Sequence, residues 1–187
     1  MKNGKKFTLR CVCEGAVMVA LAQILGYLKL YEMPQGGSVT PAMLPLMVFC
    51  VRWGFGPGLA ACTLFGLLQL LLDGAYTWGW VSIFFDYLIA FGILGVAGLC
   101  RKCRGNLLIG SVVGCIARFL SHLVSGVLYV RGMTDLEIYG VKTASPWIYS
   151  AVYNGAYMLP TMVLTVVLGA LLLRPLRKFL HGDDLKA

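Results

Sequence analysis

The stretch Trp80-Val-Ser-Ile-Phe-Phe-Asp-Tyr-Leu-Ile-Ala-Phe-Gly-Ile-Leu-Gly-Val-Ala-Gly-Leu-Cys100 holds one charged residue, Asp86, among 21. Crossing about 30 Å of hydrocarbon at 1.5 Å per residue takes about 20 residues of helix, so the stretch is long enough to span a bilayer. Comparable runs lie on both sides of it. The expected spans are residues 10–30, 42–53, 56–73, 80–100, 106–130 and 147–173. The second is too short to cross unaided and is bracketed at its start by Pro41 and Pro45, so it is acceptable only if protein covers it. The fold class expected is an all-α integral membrane protein, a compact bundle of six transmembrane helices forming one domain over residues 1–187.

The whole chain agrees with its central run. Of 187 residues 59% are hydrophobic and 13% charged, and the mean hydropathy is +0.79. A soluble domain has about a quarter of its residues charged and less than half apolar. This balance argues against a water-soluble enzyme, a nucleic-acid-binding domain and a disordered chain. The net charge is +8, and its placement explains it. Twelve of the Lys and Arg residues fall before the first run or at alternate run ends, among them Lys2, Arg10, Arg52, Arg101, Arg174 and Lys178. Only Lys29, Arg131 and Lys142 lie at the opposite ends, and Arg118 lies inside a run. This asymmetry puts both termini in the cytoplasm and the basic face against anionic lipid headgroups.

The seven cysteines lie in apolar runs or at their expected cytoplasmic ends, which disfavours a disulfide framework. Cys100-x-x-Cys103 has the spacing of a metal or redox pair but has no second pair or nearby His. The segment Glu32-Met-Pro-Gln-Gly-Gly-Ser-Val-Thr-Pro41 has no helical periodicity and reads as a mobile cover on the outer side.

Ionisable groups within spans are costly, so each raises the question of what it faces. The spans hold Glu14, Asp86, Arg118 and His122, with amides and phenols at Gln23, Gln69, Tyr87, Tyr149, Tyr153, Asn154 and Tyr157. Counting in from Trp80, Val130 and Trp147, helical rise puts Asp86, His122 and Asn154 in one layer roughly 9–12 Å below the outer boundary. Phe65 and Gln69 fall near that level, with Tyr149 and Tyr76 above it. His122, Ser125 and Tyr129 share one helical stripe, and Asn154 and Tyr157 another. Two arrangements satisfy these groups. They line an outward-opening site for a small cation with aromatic character, or Asp86 pairs with Arg118 and His122 bonds a nearby carbonyl as bundle scaffolding. Tyr129, Trp78, Trp80 and Trp147 read as interfacial belt residues. Ala16-x-x-x-Ala20 is a small-xxx-small pattern that admits close approach of a partner helix.

Six stretches occur in an order that resembles a known family: Met33-Pro-Gln-Gly-Gly-Ser38, Arg52-Trp-Gly-Phe-Gly-Pro-Gly58, Gly66-Leu-Leu-Gln-Leu-Leu-Leu72, Asp86-Tyr-Leu-Ile-Ala-Phe91, Ala117-Arg-Phe-Leu-Ser-His122 and Tyr149-Ser-Ala-Val-Tyr-Asn-Gly155. The chain resembles the thiamine-specific substrate-binding subunits (S-components) of energy-coupling-factor (ECF) vitamin transporters. The resemblance implies a six-helix protein of the bacterial cell membrane that captures thiamine from outside. It implies docking to an ECF module made of a transmembrane coupling subunit and two cytoplasmic ATPases on separate chains, with no cofactor and no catalysis of its own. The residues that match the family's ligand site are Asp86, Tyr87, His122, Tyr149, Asn154 and Tyr76, with Phe65, Gly126 and Ser150 beside them. Ala16 and Ala20 match the motif that meets the coupling subunit. The family's carboxylate is often Glu and here is the shorter Asp, and Gly36, Phe65 and Val130 stand where some members carry stacking aromatics. The competing readings are an S-component for another small heterocycle, a membrane thiol oxidoreductase using Cys100 and Cys103 with a quinone, and a scaffold without ligand.

Overall fold

The structure is a computed structural model and describes residues 8–34, 36–72, 79–103, 106–133 and 136–182. It is mostly helical. Five helices among the described residues are long and apolar enough to cross a membrane: α1 (Leu9–Gly26), α3 (Phe55–Leu72), α4 (Trp80–Lys102), α5 (Asn106–Tyr129) and α6 (Pro146–Leu173). Between the first two lies a shorter apolar helix, α2 (Met43–Trp53), and α7 (Arg177–His181) follows the last. The helix bounds follow the expected runs to within two residues except at the end of α1. There the helix stops at Gly26 with Tyr27 as its C-cap, and its other end is capped by Thr8 Oγ1, which accepts from the Cys11 N–H at 3.2 Å.

Every residue of α2 is buried, which meets the condition under which so short an apolar helix is acceptable. Met43, Leu46, Met47, Cys50 and Val51 form the middle of the main core with Phe65, Leu94 and Leu107 of the surrounding helices. Arg52 is 0% exposed, so its charge must be matched inside the protein. Its Nε and Nη2 donate to the two carboxylate oxygens of Glu14 at 2.6 and 2.9 Å. Nη1 donates to the Phe179 carbonyl, and the guanidinium lies 3.7 Å from the centre of the Phe179 ring. Trp53 Nε1 also donates to Glu14, at 2.8 Å. This cluster fastens α1, α2 and α7 together at one end of the bundle.

The other end is covered by backbone that the sequence left without regular structure. Strands β1 (Tyr31–Glu32) and β2 (Ser38–Val39) pair antiparallel, Tyr31 opposite Val39 and Glu32 opposite Ser38. Gly36 and Gly37 take φ of +91° and +95°, values that L side chains rarely adopt. A Cβ at Gly37 would also stand 2.7 Å from the Tyr157 ring. The expected irregular cover is thus a short hairpin, with Met33 and Val39 packed on Tyr157 and Met158 of α6. A second hairpin, β3 (Leu136–Ile138) with β4 (Val141–Thr143), lies between α5 and α6.

Helix α4 is not a regular α-helix. Residues Ile83–Ile89 form a π-helical segment and Ile93–Lys102 a 3-10 segment. Two neighbours accommodate the π segment. Gly66 of α3 has no side chain where a Cβ would lie 2.3 Å from the Tyr87 carbonyl, and Ser121 Oγ of α5 donates to the Phe85 carbonyl at 2.9 Å. Wide turns of this kind recur at functional sites, and this one carries Asp86.

Candidate functional site

A cavity of about 470 Å³ opens beneath the β1–β2 hairpin, a volume within the range of small-molecule sites. Asp86, Tyr87, His122, Tyr149, Asn154, Phe65, Gly126 and Ser150 all line it. Eight of the nine residues expected at the ligand site are thus brought together, and Tyr76 lies outside the described residues. Ala16 and Ala20 are exposed on the outer face of α1, away from the cavity. Cys100 and Cys103 do not line it.

The expected polar layer is a connected network. His122 Nδ1 lies 3.0 Å from Asp86 Oδ1, and Arg118 Nε donates to His122 Nε2 at 3.2 Å. A guanidinium has only donors, so His122 Nε2 accepts and the imidazole proton sits on Nδ1, directed at the carboxylate. Ser82 Oγ, one turn before Asp86, donates to Asp86 Oδ2 at 2.8 Å. The two sequence readings of this layer therefore meet: Asp86 and Arg118 are joined, but through His122, and the carboxylate still borders the cavity. The Arg118 guanidinium lies 4.1 Å from the centre of the Phe91 ring, and its Nη1 donates to Met43 Sδ at 3.1 Å.

The α6 wall is more self-contained than its sequence suggests. Asn154 Nδ2 donates to the carbonyls of His122 and Ser150 at 3.2 and 2.9 Å and to Ser150 Oγ at 3.1 Å. Its Oδ1 accepts from Tyr157 OH at 2.9 Å. The Asn154 donors are thus spent on protein, and one Oδ1 lone pair remains for the cavity. Ser150 Oγ donates to the Leu123 carbonyl at 2.8 Å. Gly126 makes this contact possible, since a Cβ there would lie 2.3 Å from Ser150 Oγ. Gly126 and Ser150 bring α5 and α6 close enough to hold His122 and Asn154 in register.

Aromatic faces supply the rest of the lining. Tyr149 and Tyr153 stack with ring centres 6.2 Å apart and planes 11° apart, while Tyr157 meets His122 edge to face at 6.1 Å. Phe65 meets Phe91 edge to face at 5.1 Å. Tyr153 OH donates to the Gly36 carbonyl at 3.0 Å, tying the hairpin to α6. Tyr129, expected in the interfacial belt, lines the cavity instead. Its place on the His122 and Ser125 stripe was the signal for this. Trp80 and Trp147 are exposed at helix starts, as belt residues are. Tyr157 lines the cavity with Asn154, whose stripe it shares, and Arg118 and Tyr153, visible in the sequence only as polar residues within spans, line it too. Ser82 was not singled out, although its position one turn from Asp86 on a helix is the relevant pattern.

Residues 12–181 match the family described as Thiamine transporter protein (Thia_YuaJ). The chain belongs to this family. Family members similar to it include Thiamine transporter ThiT of Bacillus subtilis (strain 168), 30% identical over 97% of this chain and 98% of the relative. Another is Thiamine transporter ThiT of Lacticaseibacillus paracasei, 26% identical over 87% of this chain and 86% of the relative. The solved structure of ThiT from Listeria monocytogenes superposes with a TM-score of 0.77 at 25% identity, covering 92% of this chain and 97% of that one. Family membership together with the apolar helices makes the chain a multi-pass bacterial membrane protein.

Proposed function

We propose that this protein binds thiamine from outside the cell in the cavity beneath the β1–β2 hairpin and delivers it across the membrane as the S-component of an ECF transporter. The observation that carries the reading is the anionic edge of the cavity. Asp86 borders an aromatic-lined space with a neutral imidazole on one side, and the cation Arg118, which also lines the cavity, is joined to it through that imidazole. A permanent thiazolium charge is the ligand feature that such a carboxylate complements. The tyrosines and Phe65 supply faces for its rings. Tyr87 and Tyr149 are ring contacts in this reading. The Oδ1 of Asn154 accepts from the ligand's amino group, and Gly126 and Ser150 fix the wall behind it.

In the same reading the six helices, α2 included, form one membrane domain over residues 1–187 with both termini cytoplasmic. Ala16 and Ala20 lie open on α1 as the surface for the coupling subunit. The energy comes from ATPases on other chains, and this chain catalyses nothing. The names of the Bacillus and Lacticaseibacillus relatives, both thiamine transporters, support the ligand. The test is titration of the detergent-purified protein with thiamine, followed by quenching of Trp and Tyr fluorescence, with Asp86→Ala beside it. Saturable binding at nanomolar to low micromolar ligand, lost in the variant, is expected. No binding to a folded sample would overturn the thiamine assignment.

A further inference from the structure

The cavity has a second polar group on α3, the helix packed against the π segment that carries Asp86. Helix α3 presents Phe65 and, one turn later, Gln69 to the space. Gln69 is 8% exposed and its Nε2 donates to Oε1 of Gln23 in α1 at 3.1 Å; Gln23 is 9% exposed. Gly26, one turn after Gln23, leaves room for this amide, since a Cβ there would stand 3.2 Å from Gln69 Nε2. Among the described residues Gln69 makes no other hydrogen bond, so its Oε1 and second N–H remain open. A buried amide with both an unmet acceptor and an unmet donor is costly unless a ligand or water completes it. The other cavity-lining amide, Asn154, has its donors spent on protein.

We propose that Gln69, oriented by Gln23, is a ligand-contact residue that selects for the hydroxyl group at the end of the thiazolium arm. This rests on the reading of the cavity as a thiamine site. The Asp86 side takes the charged ring, and the open Oδ1 of Asn154 takes the amino group. The hydroxyl is then the remaining group of the ligand that both donates and accepts, since the pyrimidine ring nitrogens only accept. It offers one donor and an acceptor oxygen, which matches the acceptor and the donor that Gln69 leaves open. Gln23 fixes the amide so that these two valences face inward, and it makes α1 part of the recognition surface.

The test compares Gln69→Met, close in volume but without hydrogen-bonding groups, and Gln23→Met with the unaltered protein. Each is titrated with thiamine, with an analogue lacking the hydroxyl and with an analogue lacking the amino group. Thermal unfolding confirms that each variant is folded. The expected result is that Gln69→Met weakens thiamine binding by about threefold to tenfold, the range of a net hydrogen bond. The hydroxyl-free analogue should bind both proteins alike. Gln23→Met should shift thiamine binding in the same direction by less. Equal weakening for all three ligands, or a loss absent only for the amino-free analogue, would overturn the assignment. So would a Gln69→Met protein that binds thiamine as the unaltered protein does, while loss of binding in Asp86→Ala would keep the thiamine reading itself intact. If the unaltered protein fails to bind thiamine, the reading of the cavity falls and this inference with it.

Discussion

Replacing Asp86 with Asn removes one charge and little else. The Asn carbonyl can still accept from His122 Nδ1, which lies 3.0 Å from Asp86 Oδ1, and the amide can turn its N–H toward Ser82 Oγ, now 2.8 Å from Oδ2. The variant therefore isolates the electrostatic attraction between carboxylate and thiazolium. At a separation of about 5 Å and an effective dielectric constant of about 20, that attraction is about 3 kcal/mol. The Kd for thiamine should rise by about two orders of magnitude. Titration of both proteins with thiamine and with an uncharged thiophene analogue of the same shape forms a double cycle. The analogue should bind more weakly than thiamine to the unaltered protein and almost equally to the two proteins. Equal losses for charged and uncharged ligands would refute the reasoning, because Asp86 would then act only by holding His122.

Three further outcomes follow from other parts of the molecule. Tyr153→Phe removes the hydrogen bond to the Gly36 carbonyl and should speed thiamine release by a factor corresponding to about 1 kcal/mol, read by stopped-flow fluorescence. Glu14→Gln removes a carboxylate charge paired with the fully buried Arg52 and should cost about 3 kcal/mol, a fall in Tm of roughly 5–10 °C, with the Kd for thiamine unchanged. Ala16→Leu with Ala20→Leu adds bulk to an exposed face of α1. It should abolish uptake in cells carrying the ECF module while leaving binding by the purified protein intact.

The parts of this fold legible in the sequence are those that depend on local spacing. Apolar length located each of the long helices and α2, though not α7, and the brevity of 42–53 foretold that α2 must be wrapped in protein. Helical rise alone put Asp86, His122 and Asn154 in one layer, and they meet there. What escaped depends on contacts between distant segments. The π segment around Asp86 depends on the absent side chain of Gly66 and on Ser121, neither of which changes the apolar periodicity of α4. The β1–β2 hairpin is fastened by Tyr153, more than a hundred residues away. The proton position on His122 follows from the Nε of Arg118 reaching Nε2, a contact that spacing allows but does not specify. Tyr129 was misplaced because an aromatic near a helix end fits both a membrane interface and the mouth of a cavity.

The most direct test of the central claim is a structure of the protein determined with thiamine present. The account predicts the ligand in the cavity beneath the β1–β2 hairpin, its thiazolium ring within about 4–6 Å of the Asp86 carboxylate, the range in which opposite charges interact strongly. Thiamine bound elsewhere, or a cavity without ligand at saturating thiamine, would contradict it.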